Sequence, residues 1–290
     1  MDLLLEAARF ATYTAALQLF GAAVFQQWLA PAGLRAALDA RVRPLALASA
    51  LLLPLAMLAW LAATAGTMGD GWASVLDANT LALVLSATSF GHVWLPLLIV
   101  AAATAGYTLL PRSGWLGLSL ASAAMLIGLG LVGHAAMASG FDGILNRLSQ
   151  VIHLLSSAFW LGSLFPLLLS LPFFRDPRYA TDCDAMLRHF SGLGHLAVAL
   201  LLLSGVTNTW FVMGGVPIDL GQPYQQLLLL KVGIAGIMVC LATINRYVFV
   251  PAIPDGGPGL SQLARGTIAE IALSAFVLAL VSVIGTLSPG

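Results

Sequence analysis

The sequence predicts an all-α, polytopic membrane helix bundle with eight transmembrane helices and both termini on the outer side. Three observations predict it. The 290 residues are 60% hydrophobic and 8% charged, whereas soluble domains carry roughly 25% charged residues. Twelve basic and twelve acidic side chains cannot solvate a globular surface of this size. The apolar residues gather into eight continuous runs, each near the ~20 residues that a helix needs to cross a bilayer. These runs are too long and unbroken for the alternating strands of a barrel. The basic residues, finally, fall on alternate connections, which sets the orientation.

The first run covers about 7–29. Its opening, "MDLLLEAARF", lacks a basic region and a small-residue cleavage site, so it reads as the start of a spanning helix and not as a removed signal peptide. The second run, about 44–65, follows a connection carrying Arg35, Arg41 and Arg43. The loop 66–89 holds "WASVLDANTLALVLSAT", which is expected to lie along the interface as a short helix. The third run, about 90–110, ends at Arg112 and the fourth covers about 114–135. The fifth, about 146–171, leads to Arg175, Arg178 and Arg188, and the sixth covers about 190–212. The seventh, about 225–249, leads through the turn-rich "PAIPDGGPGLSQ" to the eighth, about 266–287, with Arg246 and Arg265 on that connection. The even connections hold Asp70, Asp77, Asp142 and Asp219, with Arg147 alone among the basics, so the odd loops are inner. No internal repeat breaks the chain, and residues 1–290 read as a single membrane domain.

Several function classes drop out. Zero net charge gives no sign of nucleic-acid binding. There is no GxSxG, HExxH or P-loop signature, so no catalytic residue is assigned and transport driven directly by ATP would need a partner. Cys183, expected in a polar loop, and Cys240, expected as a small core residue, have no partner at a metal-ligand spacing. Met57, Met125 and Met238 read as core filler.

Polar groups inside hydrocarbon are costly, so they face the bundle interior and often mark function. Asn146, Gln150, His153, Ser157 and Trp160 follow at steps of four, three, four and three, one face of the fifth span. Such a stripe is either hydrogen-bonding glue between helices or the wall of a polar site. Ser204, Thr207, Asn208 and Phe211 make a second face at the outer end of the sixth span. At 1.5 Å per residue, His153 lies roughly 10 Å inside its outer helix end. His134 and His92 lie at the outer ends of the fourth and third spans. Imidazole suits copper, zinc, iron and nickel, and Met137, three residues after His134, adds a soft thioether suited to copper(I). His134, His153, His92 and Met137 are thus an outer metal-ligand candidate set. His195 and Glu270 share an inner depth and suit an ion pair, a proton relay or a second metal station. His189 is expected at the inner interface in contact with water. Lys231, Met238 and Asn245 share a face of the seventh span, where Lys231 can snorkel or pair with Glu6.

The stretches "GHAAM" (133–137), "VIHLLSSAFWLGSLFPL" (151–167), "RHFSGLGHLAVALLLLSGVTNTWFVMGG" (188–215) and "PYQQLLLLKVGIAGIMVCLATINRYVFVP" (223–251) together resemble the copper resistance protein D (CopD/PcoD) family. The likeness covers most of the chain and is strongest over 133–251. It implies copper homeostasis in a bacterial inner membrane, so the outer side becomes the periplasm. It also implies a separate periplasmic copper-binding protein of the CopC type as partner. It points to His134, His153, Trp160 and Lys231. One departure is Gln225 after Tyr224, where the family shows Tyr-Gly, which bears on packing of the seventh span.

The expected function is copper transport, with copper, as copper(I), taken at the periplasmic histidines and passed inward. Uptake is favoured over export. The alternatives are a haem-binding membrane cytochrome b-like redox protein, with histidines as axial ligands, and a non-transporting copper-delivery protein.

Overall fold

Ala and Leu, strong helix formers, fill the apolar runs, and each run becomes a helix. The computed structural model describes residues 1–111, 113–132, 140–214, 219–253 and 259–288; no strand occurs among these described residues. In chain order the helices are α1 (Asp2–Val24), α2 (Ala32–Met68), α3 (Ala78–Ala87), α4 (Ser89–Thr108), α5 (Trp115–Leu129), α6 (Gly140–Ser170), α7 (Ala180–Met213), α8 (Pro223–Ile244) and α9 (Gly259–Ile284). A π-helical turn extends α1 over Phe25–Leu29 and another extends α8 over Asn245–Phe249. The short α3 is the helix expected in the loop 66–89. Asp77 caps it, accepting from the Thr80 amide.

Six of these helices, α2, α4, α6, α7, α8 and α9, are long and apolar enough to cross a membrane. The protein is a multi-pass membrane bundle. The expected spans at 7–29 and 114–135 correspond to α1 and α5, which fall outside that set. α5 has 15 residues and ends at Leu129, short of its expected end near 135; residues 130–132 form a turn, and 133–135 lie outside the described residues. α1 carries Asp2, Glu6 and Arg9 in its first turns, yet it is the axis of the fold. It packs on α2, α5, α6 and α9, and Ala15 to Leu19 and Gly21 to Ala23 are buried. Its buried Thr12 and Gln18 meet protein rather than lipid, so hydropathy understates it.

The α1–α6 crossing depends on two glycines. A Cβ at Gly21 would overlap the backbone of Gly162, and one at Gly162 would overlap the Leu17 carbonyl. The close approach lets Gln18 Nε2 donate to the Gly162 carbonyl at 2.9 Å. Small residues that let helix backbones meet are a usual device in membranes, where lipid is as apolar as the core.

Several helices overrun the expected spans. α2 starts at Ala32, not near 44, because Pro31 precedes it and its extra turns reach past the apolar run. Asp39 there accepts from Arg43 at 2.9 Å and from the Trp115 indole at 2.6 Å, while Arg43 also lies over the Trp115 ring. α7 likewise starts at Ala180, with an Asp184–Arg188 pair one turn apart. Cys183 is therefore not a loop residue but a fully buried one near the start of α7, and Cys240 is exposed on α8, not in the core. Met57, Met125 and Met238 are buried as expected. α7 lies chiefly on α6, and α8 on α9. A cleft opens between α7 and α8, floored by α6 and α9, with its wall drawn from all four.

Candidate metal centre

The α6 stripe faces α7. Ser149 Oγ donates to the Ser204 carbonyl at 3.2 Å, and Asn208 Nδ2 donates to Gln150 Oε1 at 2.9 Å. Between them, His153 Nδ1 lies 3.2 Å from Ser204 Oγ. Ser204 directs its own proton to the Leu200 carbonyl at 2.6 Å, so its oxygen accepts from the imidazole. His153 therefore carries its proton on Nδ1. Nε2 keeps its lone pair. A ligating histidine is usually held this way, with its second nitrogen donating to a fixed acceptor. Ser157, next on the stripe, turns its hydroxyl back to the His153 carbonyl at 2.7 Å and takes no part across helices.

Lys231 lies on α8. It pairs neither with Glu6 nor with any other described carboxylate. His92 is exposed at the start of α4 and donates from Nε2 to the Ser86 carbonyl at 2.9 Å. α4 packs on α2, α3 and α5 rather than on α7, so the structure does not join His92 to the His153 seam. His134 and Met137 lie outside the described residues. Among the described residues no group of three or more His, Cys, Asp or Glu is placed to hold a metal ion.

The inner pair is separated rather than bonded. Glu270 is 3% exposed, and its carboxylate accepts from the Trp160 indole at 3.2 Å and from Asn245 Nδ2 at 2.5 Å. Trp160 is the last member of the α6 stripe, so the stripe that begins beside α7 ends on α9. Seven residues of helix separate His153 from Trp160, roughly 10 Å along the axis. Asn245 opens the π turn of α8, a local widening that often serves functional sites. Gly266 admits it, since a Cβ there would overlap the Asn245 side chain.

His195 faces the same space from α7. Its Nδ1 lies 2.6 Å from the Ser191 carbonyl and its Nε2 lies 2.9 Å from Tyr247 Oη. A carbonyl only accepts, so Nδ1 carries the proton and, in the neutral ring, Tyr247 donates to Nε2. His195 and Glu270 line one cavity of about 200 Å³, along with Leu167, Phe190 and Arg246, but make no hydrogen bond to each other. His189 is exposed nearby, as expected. The sequence pattern marked Trp160, His195, Glu270 and the Asn245 face. It missed Tyr247, whose role arises only because the π turn brings it opposite α7.

The comparisons agree with one another. The family description "Copper resistance protein D-like, N-terminal domain" matches residues 1–144, and "Copper resistance protein D" matches residues 184–284. The chain is 35% identical to the inner membrane protein YebZ of Escherichia coli over 98% of this chain and 97% of that one. It is 32% identical to copper resistance protein D of Pseudomonas syringae pv. tomato over 99% of this chain and 97% of that one. It is 28% identical to the copper transport protein CutJ of Bacillus subtilis over 63% of this chain and 35% of that one. No solved structure matches.

Proposed function

The chain belongs to the copper resistance protein D family, and from that premise we propose that it moves copper across the bacterial inner membrane. Copper is the cargo, carried as copper(I). It is received near the periplasmic face by His153, with His134 and Met137 as further ligands on that side. Lys231, Gln150, Ser157 and Asn208 shape the polar surroundings. The observation that carries the reading is the tautomer of His153: Ser204 holds Nδ1–H and leaves Nε2 as a neutral donor on a polar stripe. Neutral ligands in small number bind firmly enough to load and loosely enough to release, as conduction requires.

From His153 the stripe leads to Trp160 and the cavity holding Glu270 and His195, the second station. Carboxylate oxygen is a poor match for soft copper(I), which suits an exit. In this reading α1 and α5 complete eight spans and both termini face the periplasm. A periplasmic copper-binding protein of the CopC type delivers the ion, and the direction is uptake. Relatives named for copper resistance and copper transport, not for an enzyme activity, support this reading.

The test is reconstitution in liposomes with a copper probe inside. Copper entry that falls to background in His153→Ala supports the reading. Unchanged flux in that variant sinks it, and so does a purified protein with a haem Soret band and no copper uptake. Inward flux without export, in vesicles of known orientation, fixes the direction.

A further inference from the structure

The cleft between α7 and α8 opens sideways, out of the bundle. α7 leans on α6 and α8 on α9, and Leu193, Leu196, Ile244 and Val248 are exposed on the two helices and their π turn. In a multi-pass membrane protein such faces meet acyl chains. Most of the cleft wall is apolar as well, with Leu164, Leu167, Phe190, Val198 and Val239 along it. At one end the wall turns basic. Arg246, in the π turn of α8, lines the cleft, is partly exposed, and belongs to none of the ion pairs among the described residues. Glu270, the carboxylate on the cleft floor, is held instead by Trp160 and Asn245.

Two exposed aromatic residues fix the level of that end. Tyr247 is 63% exposed, and Trp28, at the end of α1, is 59% exposed beside Arg188 and His189. Tyr and Trp gather where the bilayer meets water, at the level of the lipid headgroups. Arg246, the chain neighbour of Tyr247, stands at that level. Val239 lies seven residues back along α8, roughly 10 Å deeper. We infer that the cleft binds one anionic phospholipid: its phosphate meets Arg246, and one of its chains lies along Leu167, Phe190 and Val239. A guanidinium presents paired donors that match a phosphate. The apolar wall running away from it selects a phosphate that carries a chain. In the orientation proposed above, α8 ends at the inner face, so the lipid comes from the inner leaflet. Basic pockets between spans on that side collect anionic headgroups. The site goes beyond copper movement and does not depend on it. A lipid seated there would close the side of the cavity and leave its floor free.

The experiment adds dioleoyl phosphatidylglycerol or dioleoyl phosphatidylcholine to purified, delipidated protein in detergent, without copper, and reads bound lipid by native mass spectrometry. Wild type should keep one phosphatidylglycerol in preference to phosphatidylcholine. Arg246→Gln should bind it about fivefold more weakly, one basic residue's share of the attraction to anionic lipid, and Arg246→Lys should retain most of it. Val239→Trp, which fills the apolar end and keeps the charge, should also lose the lipid. Arg265→Gln, exposed at the same end but off the cleft wall, should match wild type. Equal retention of the two lipids by wild type overturns the site with no variant needed. Unchanged binding in Arg246→Gln overturns it too, as does an equal loss in Arg265→Gln, the mark of a diffuse attraction to the surface. Displacement of the lipid by millimolar inorganic phosphate would mean a phosphate site without a chain, and that also overturns it. With copper absent, none of these outcomes touches transport, which stands or falls by the liposome assay.

Discussion

His153 donates from Nδ1 to Ser204 Oγ across the α6–α7 seam, at 3.2 Å. The polarity of that bond is set by Ser204, whose proton is committed to the Leu200 carbonyl. A hydroxyl one helix away therefore decides which nitrogen of His153 is free. Ser204→Ala leaves the ligand in place and removes what orients it. Copper affinity should fall by roughly 10-fold or more, the usual effect of losing a group that orients a ligand. His153→Ala should abolish the outer site. Competition against a copper(I) chelator measures both, and equal losses in the two variants would show that Ser204 does more than orient.

The Gly21–Gly162 crossing predicts opposite signs for two kinds of glycine replacement. Gly162→Leu forces α1 and α6 apart against backbone and should lower stability by 1–3 kcal/mol or more, at about the scale of overpacking. Gly233 and Gly236 on α8 have open space where a Cβ would sit. Changing either to Ala should leave the melt unchanged or raise it, since Ala is favoured over Gly in a helix by about 0.8–1 kcal/mol. Thermal melts in one detergent compare all three. A Gly162→Leu protein as stable as wild type would mean that α1 does not cross α6 there.

The legible and illegible parts of this chain divide along physical lines. Apolar runs locate helices because the bilayer demands them, so α7 contains its expected span, α8 contains its own once the π turn is added, and α4, α6 and α9 stop within three residues of the expected ends. Hydropathy measures only the part that meets lipid. It therefore cut α2 and α7 short, where charged turns continue beyond the apolar run, and gave no hint that α1 is surrounded by protein. The α6 stripe was legible from its spacing, and so was its partner face at Ser204 and Asn208. Tyr247 was not, because a π turn shifts the register that spacing arguments assume. The link from Trp160 to Glu270 was equally hidden, since it joins residues 110 positions apart.

Asp77 gives a pH prediction outside the spans. Its carboxylate accepts from the Thr80 hydroxyl at 2.7 Å and the Thr80 amide at 2.8 Å. These bonds hold its pKa below the ordinary value of 3.8. A depressed carboxylate contributes stability that is full above the unfolded pKa and is lost as pH falls through the folded one. α3 should keep its cap at neutral pH and fray only in acid below the ordinary aspartate range. Asp77→Ala should fray it at neutral pH. Hydrogen exchange of the first-turn amides reads both, and protection in Asp77→Ala equal to wild type would remove the cap from the account of α3.

His195 offers the sharpest test of the inner station. Ser191 takes the Nδ1 proton, so Nε2 is the one nitrogen able to meet a metal, and Tyr247 covers it. Copper entering the cavity must displace the Tyr247 hydroxyl to reach the ring, which weakens binding and favours release. Tyr247→Phe keeps the aromatic wall and removes the competing donor. Regaining one hydrogen bond's worth of binding, about 1 kcal/mol, should slow copper release from preloaded protein roughly 5-fold. The gain should disappear in the double variant with His195→Ala, because no nitrogen then remains to be uncovered. Stopped-flow capture of released copper(I) by a chelator measures the rate. If Tyr247→Phe releases copper as fast as wild type, His195 does not touch the ion, and the inner station reduces to Glu270 and its amide neighbour.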